Sequence, residues 1–308
     1  MVLARISGLA PKEERPRRAA PTAHHQIMNR EMTGNVCIVT GANAGIGKET
    51  TLGLAKLGAT VVMLCRDRDR GASAQREIKK RSSNDRVELM LCDLAAQDSI
   101  REFASEFKQG HDRLDVLVNN AGVLMRERSL NEDGIESTFA INHLGYFLLT
   151  NLLLDVLKQR ATARIVNVAS TAHKYGKIDI GGWVIGRDYS AFSAYANSKL
   201  ANVLFTYELA RRIEGTGVTA NCLHPGAVGT NLFRGLPRVL QAVIALVTMG
   251  PERGARTSIY LASSPEVEGV SGKYFAKRRP EKSSDESYDR DAARKLWEVS
   301  EELTGLNT

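Results

Sequence analysis

The stretch Thr40-Gly41-Ala42-Asn43-Ala44-Gly45-Ile46-Gly47-Lys48 decides the fold of this chain. It follows a short apolar run, residues 35–40, and opens a helical stretch that reaches residue 56. Glycines at 41, 45 and 47 permit a tight turn and close backbone approach. A helix starting there would aim free N–H groups at a pyrophosphate, with Gly41, Asn43, Gly45, Ile46 and Gly47 forming the cradle. The glycine spacing alone is a weak signal; its position between a strand and a helix carries the reading.

Downstream the chain keeps alternating. Apolar runs at 60–65, 86–92, 114–118, 164–168, 219–223 and 272–275 read as strands. Helical stretches fall at 70–81, 98–108, 135–158, 194–214, 251–262 and 292–303. Near-continuous apolar strands separated by helices predict a Rossmann-type, doubly wound α/β fold: a mostly parallel seven-stranded sheet with helices on both faces. The charged, turn-rich residues 277–290 read as a surface excursion.

The 308 residues are 43% apolar and 25% charged, the composition of an ordinary globular protein, which excludes disordered and fibrous classes. Four cysteines with no Cys-x-x-Cys pair exclude a disulfide scaffold, and the six histidines show no metal spacing, so no metal is expected. The net charge of +7 raises nucleic acid, a membrane surface or an anionic small ligand as partners. The excess is spread along the chain, which argues against nucleic acid. No run approaches the roughly 20 apolar residues of a membrane span, and no secretory signal core is present, so a cytoplasmic location is expected. The apolar segment 236–250 predicts a flap over a lipophilic substrate, with transient contact to a membrane surface; a core-packed helix is the competing reading. Residues 1–31 read as a disordered basic tail and 32–308 as one domain.

The end of the second strand reads Leu64-Cys65-Arg66-Asp67. Cys65 stands where an NAD enzyme usually places a carboxylate against the adenosine ribose, and Arg66 follows. A guanidinium suits a 2′-phosphate, so NADP(H) is favoured, with NAD(H) left open by Asp67. Tyr195-Ala196-Asn197-Ser198-Lys199 opens a helix, and positions i and i+4 share one face. A neighbouring ammonium stabilises phenolate and is expected to lower the Tyr195 pKa from its free value of about 10. Asn119-Asn120-Ala121-Gly122 and Asn167-Val168-Ala169-Ser170 end two strands, where parallel-sheet ligands bind.

These motifs, with Asp93, Asn142 and Pro225-Gly226 in the same order, resemble the short-chain dehydrogenase/reductase family over residues 32–306. Cys65-Arg66-Asp67, the run from Asn142 to Thr150 and the run from Ser198 to Phe205 resemble its retinol dehydrogenase-like subgroup; the region of Trp183 departs from it. The resemblance implies Tyr195 as general acid, Ser170 as hydrogen-bond donor to the carbonyl oxygen, Lys199 on the nicotinamide ribose and Asn142 holding a relay water. It further implies Asp93 at the adenine, Asn119 near the adjacent ribose and Thr230 at the carboxamide. Leu94, Ala121, Gly122, Pro225, Gly226 and Val228 would complete the cofactor cleft. The implied activity is NADP(H)-dependent interconversion of a lipophilic aldehyde or ketone and its alcohol, in a monomer or homo-oligomer. A cofactor-binding scaffold on the same fold is the alternative.

The tail carries no apolar pattern to dock, so deleting residues 1–31 should leave the melting temperature and turnover unchanged. A thermal scan checks this: a loss of several degrees, about 1 kcal/mol or more for a chain of this size, would show that the tail packs on the core.

Overall fold

In the computed structural model, residues 31–160, 162–186, 188–226 and 250–306 are described. The tail, apart from Glu31, lies outside these residues. So do Val228, Thr230 and the 236–250 segment apart from Gly250. The strands are β1 (Val36–Thr40), β2 (Thr60–Cys65), β3 (Val87–Leu91), β4 (Val116–Asn119), β5 (Arg164–Val168), β6 (Thr219–His224), β7 (Tyr274–Ala276) and β8 (Arg279–Pro280). They form one sheet in the order β3-β2-β1-β4-β5-β6-β7-β8, parallel throughout except for β7 with β8.

The apolar strand sequences follow from burial on both faces. Along β1, Val36 and Ile38 enter one core while Cys37 and Val39 enter the other. The first core lies under α3 (Gln97–Gly110), α5 (Gly145–Leu152) and α8 (Ala191–Arg212), with Phe103, Phe107, Phe147, Phe205 and Trp297 packed together. The second lies under α1 (Gly45–Lys56), α2 (Arg68–Ser82) and α9 (Pro251–Ser263), around Leu54, Ile78, Val118, Leu261 and Phe275. α10 (Arg290–Thr304) closes the first core; its Trp297 packs on Phe147 and Phe205 and lies under the Arg212 guanidinium. Cys37, Cys65, Cys92 and Cys222 are all free and buried.

Two features differ from the sequence reading. The sheet has an eighth strand: Lys277 and Arg278, at φ 48° and 66°, form a two-residue loop between β7 and β8 inside the expected surface excursion. Such loops ordinarily announce themselves as Asn-Gly or Asp-Gly, and this one carries neither. The single helix expected over 135–158 is instead four pieces: α4 (Ser137–Phe139), a π-helical turn (Ala140–Leu144), α5 and α6 (Leu154–Lys158). π turns are rare and collect at functional sites; this one contains Asn142. A short helix α7 (Ile180–Ile185) fills the interval between β5 and α8.

The strand order reverses between β1 and β4, which opens a crevice at their carboxyl ends. There the Thr40 hydroxyl accepts from the Asn120 and Ala121 amides at 2.8 and 2.9 Å. The Asn120 side chain returns a bond to the Thr40 carbonyl at 2.8 Å. The first turn of α1 is pressed into this junction: a methyl on Gly47 would lie 2.4 Å from both Asn120 Nδ2 and the Gly41 carbonyl oxygen. Gly47→Ala should therefore cost about 1–3 kcal/mol through overpacking, read as a melting temperature lower by several degrees. An unchanged melting temperature would mean that the loop has slack to give.

Candidate active site

The glycine loop leaves β1 through Gly41, at φ 66°, and its amides run over the end of β2. The Cys65 thiol lies within reach of the Ala42 and Asn43 N–H groups; burial, the larger effect, pushes its pKa up to about 11. α1 begins at Gly45 with no side chain capping it and no acid in its first turn. Its leading amides are therefore open to an anion, and the glycines keep that approach free of Cβ atoms. This arrangement fits a pyrophosphate.

Arg66 stands at the β2 terminus with an exposed guanidinium, 3.8 Å from Asp93 at the end of β3. A pair this long and this exposed contributes little to stability, so both groups remain available to a ligand. Asp67 turns away: its carboxylate accepts from the Arg70 amide at 2.9 Å and caps α2. Asp93 accepts from the Ala95 amide, and Leu94 is buried beside Gly145, where a methyl would lie 2.9 Å from the Leu94 carbonyl. Gly226, at φ 91°, donates its N–H to His224 Nδ1 beyond β6. Pro225 precedes it, partly buried.

Four predicted catalytic residues converge at the ends of β4 and β5. Ser170 lies just past β5, beside Tyr195, where its hydroxyl acts to lower the pKa of the phenol. Lys199 is almost wholly buried on α8, its Nζ donating to the Val168 carbonyl at 3.0 Å. That Nζ lies 5.7 Å from the ring centres of both Tyr195 and Tyr146. A methyl on Gly122 would sit 3.3 Å from Lys199 Nζ and 3.5 Å from Asn142 Oδ1, so glycine opens the space between them. Asn142 itself clamps Val123, accepting from its N–H at 2.8 Å and donating to its carbonyl at 2.9 Å; its other amide proton goes to the Ser198 hydroxyl at 2.9 Å.

Asn119 does not face this group. It is fully buried, donating to Thr150 and to Asn167, which in turn donates to Thr206. This ladder ties β4 and β5 to the helices beneath them. Tyr146, absent from the sequence reading as a site residue, donates its hydroxyl to the Ala121 carbonyl at 2.5 Å. The signal available was its position four residues after Asn142.

The electrostatics depart from the expected lowering of the Tyr195 pKa. Burial raises it, and the Ser170 hydroxyl only partly offsets that rise. The reason lies in Lys199, which burial draws down to about 7. Near neutral pH its positive charge is thus only partial, and it stabilises phenolate weakly.

The family model for short chain dehydrogenase matches residues 35–239. The chain belongs to that family. Human retinol dehydrogenase 14 is 45% identical over 294 residues, covering 89% of this chain and 88% of the relative. A solved structure of an uncharacterized protein from Mycobacterium paratuberculosis superimposes with a TM-score of 0.74 at 35% identity, covering 90% and 96% of the two chains. The NADP active-site complex of Pseudomonas aeruginosa RhlG superimposes at 0.66 with 26% identity, covering 80% and 95%. This short-chain dehydrogenase is accordingly a retinol dehydrogenase-like oxidoreductase acting on CH–OH groups with a nicotinamide nucleotide. Among its described residues no helix is long and apolar enough to cross a membrane, and no cluster could hold a metal ion.

The buried lysine makes the dehydrogenase's stability depend on pH. Its folded pKa of about 7 lies below the ordinary 10.5, so the unfolded chain binds more protons between those values. Stability from this group therefore rises with pH across that window, and the cost of the buried charge, a few kcal/mol, is complete only below it. Melting temperatures recorded from about pH 6.5 to 9.5 should show Lys199→Met gaining most over the parent at the acid end, with the gap closing as pH rises. A pH-independent gap would mean that the ammonium is solvated.

Proposed function

We propose that this dehydrogenase interconverts a lipophilic aldehyde or ketone and its alcohol using NADP(H). The convergence of Ser170, Tyr195, Lys199 and Asn142 beside an open helix N-terminus carries the reading. A scaffold would have no use for a phenol set beside a serine and a buried lysine. The direction of the Tyr195 shift supports carbonyl reduction: a phenol whose pKa is raised keeps its proton at neutral pH and can give it to a developing alkoxide.

The α1 amides with Gly41, Asn43, Gly45, Ile46 and Gly47 would hold the pyrophosphate, and Arg66 the 2′-phosphate. Asp93, Leu94, Ala121 and Gly122 would line the adenosine side, with Pro225, Gly226, Val228 and Thr230 following β6. When bound, the nicotinamide supplies or accepts the hydride. Ser170 orients the substrate oxygen toward Tyr195, and Tyr195 delivers the proton to it. Lys199 retains donors beyond the one used on Val168, which suits a ribose hydroxyl. Asn142 has spent both amide protons, so a relay water held there would bind through an oxygen of this residue. The preference for NADP(H) is supported by Arg66 holding only a long, exposed pair with Asp93 while Asp67 is committed to α2. The apolar segment 236–250 and the retinol dehydrogenase relatives support a lipophilic substrate.

NADPH oxidation against an aldehyde panel, followed by absorbance, tests the reading; a parent protein that turns over none of the panel overturns it. Tyr195→Phe should cut turnover by at least about 10², the lower range for general acid catalysis, with the fold intact. Arg66→Ala should weaken NADPH about ten- to hundredfold and spare NADH, because a charge-assisted bond to phosphate contributes roughly 1.5–3 kcal/mol. Equal preference for the two cofactors in the parent would refute the role given to Arg66.

A further inference from the structure

His173, three residues past the candidate catalytic serine, is fully buried and spans two parts of the molecule. Its Nδ1 lies 2.6 Å from the Ser170 carbonyl oxygen. A carbonyl can only accept, so Nδ1 carries the proton. The neutral ring then leaves Nε2 as acceptor, and the Ser284 N–H donates to it at 3.0 Å. Backbone partners on both sides thus select one tautomer.

The far partner is anchored. Ser283 bonds Tyr207 of α8 and Ser287 through its hydroxyl, at 2.8 and 2.6 Å, and the Tyr207 and Tyr288 rings stack at 5.5 Å. The ring therefore bolts the end of β5 to a segment seated on the helix that also carries Tyr195 and Lys199. The chain past β8 is connected in this way to the reacting groups it does not touch.

We propose that His173 is a positioning residue: it fixes the Ser170 backbone, and with it the hydroxyl facing Tyr195, by bridging the Ser170 carbonyl to the Ser284 amide. The inference rests on the reductase reading above. It also predicts an acid limb. A protonated ring is a donor at both nitrogens, so it loses Ser284 and faces an N–H instead. Around it stand Lys174 on its own turn, His224 of β6, Tyr274 of β7 with ring centres 4.8 Å apart, and Glu286 of the anchored segment. Burial lowers its pKa, with Lys174 and His224 adding to that effect and the Ser170 bond and Glu286 opposing it. The ring therefore charges only below the ordinary imidazole range. Carbonyl reduction should decline as pH falls through that region, although Tyr195 as an acid is fully protonated there.

The experiment is the pH profile of kcat and KM for NADPH-dependent aldehyde reduction by the full chain, with melting temperatures alongside. His173→Phe keeps a ring and loses both nitrogens; kcat should fall about ten- to hundredfold, the scale of a small misplacement of reacting groups, with KM for NADPH changed less than about twofold. His173→Asn restores a donor at the position of Nδ1; kcat should recover to within about fivefold of the parent, and the acid limb should vanish. A parent without turnover overturns the reductase reading and this inference with it. With an active parent, three results overturn the inference alone: His173→Phe lowering only the melting temperature, His173→Asn failing as badly as His173→Phe, or an acid limb surviving in His173→Asn.

Discussion

Where the strand order turns back on itself, between β1 and β4, the loops that follow the two strands are tied together by short polar contacts. Thr40 does this by accepting three hydrogen bonds, two from Asn120 and one from Ala121, all between 2.8 and 2.9 Å. The consequences spread outward. The junction sets how near α1 comes to β4, and Gly47 is the residue that lets it come that near. It also places Ala121, whose carbonyl takes the Tyr146 hydroxyl, and Gly122, which leaves the space between Asn142 and Lys199. The cofactor cradle and the proton-handling group are thus built from one seam.

Lys199 shows the cost of that construction. Lys199 is placed almost out of water, with its Nζ donating to the Val168 carbonyl. Burial then disfavours its charge, and the phenol beside it keeps its proton. Burial therefore favours the neutral form of both groups, which keeps the proton on the phenol that must donate it. The polar ladder from Asn119 through Asn167 to Thr206 ties β4 and β5 to α8, the helix that carries both groups.

Much of this was legible in the residues. The apolar runs marked the strands because both faces of the sheet are buried, and the glycine loop marked the switch point because only glycine fits there. The Tyr195–Lys199 spacing put both groups on one face of α8. What stayed hidden depends on context. β8 arises from a turn whose residues, Lys277 and Arg278, have no local preference for positive φ. The π turn around Asn142 interrupts an apolar run whose periodicity looks continuous, since the interruption is set by contacts with Val123 and Ser198 from distant parts of the chain. Asn119 ends a strand, as a ligand-binding residue would, yet its side chain points into the ladder. His173 carries no motif at all; its meaning comes from Ser284, 111 positions away.

The four cysteines have a use unrelated to catalysis. Cys37, Cys65 and Cys92 lie on or just past β1, β2 and β3, and Cys222 lies on β6, on the other side of the seam. Every one is buried, and burial keeps each thiol protonated far above its ordinary range. An alkylating reagent therefore meets no thiolate while the sheet is closed. The order in which the four become modified under mild denaturant would trace which half of the sheet opens first, so the molecule carries its own map of partial unfolding.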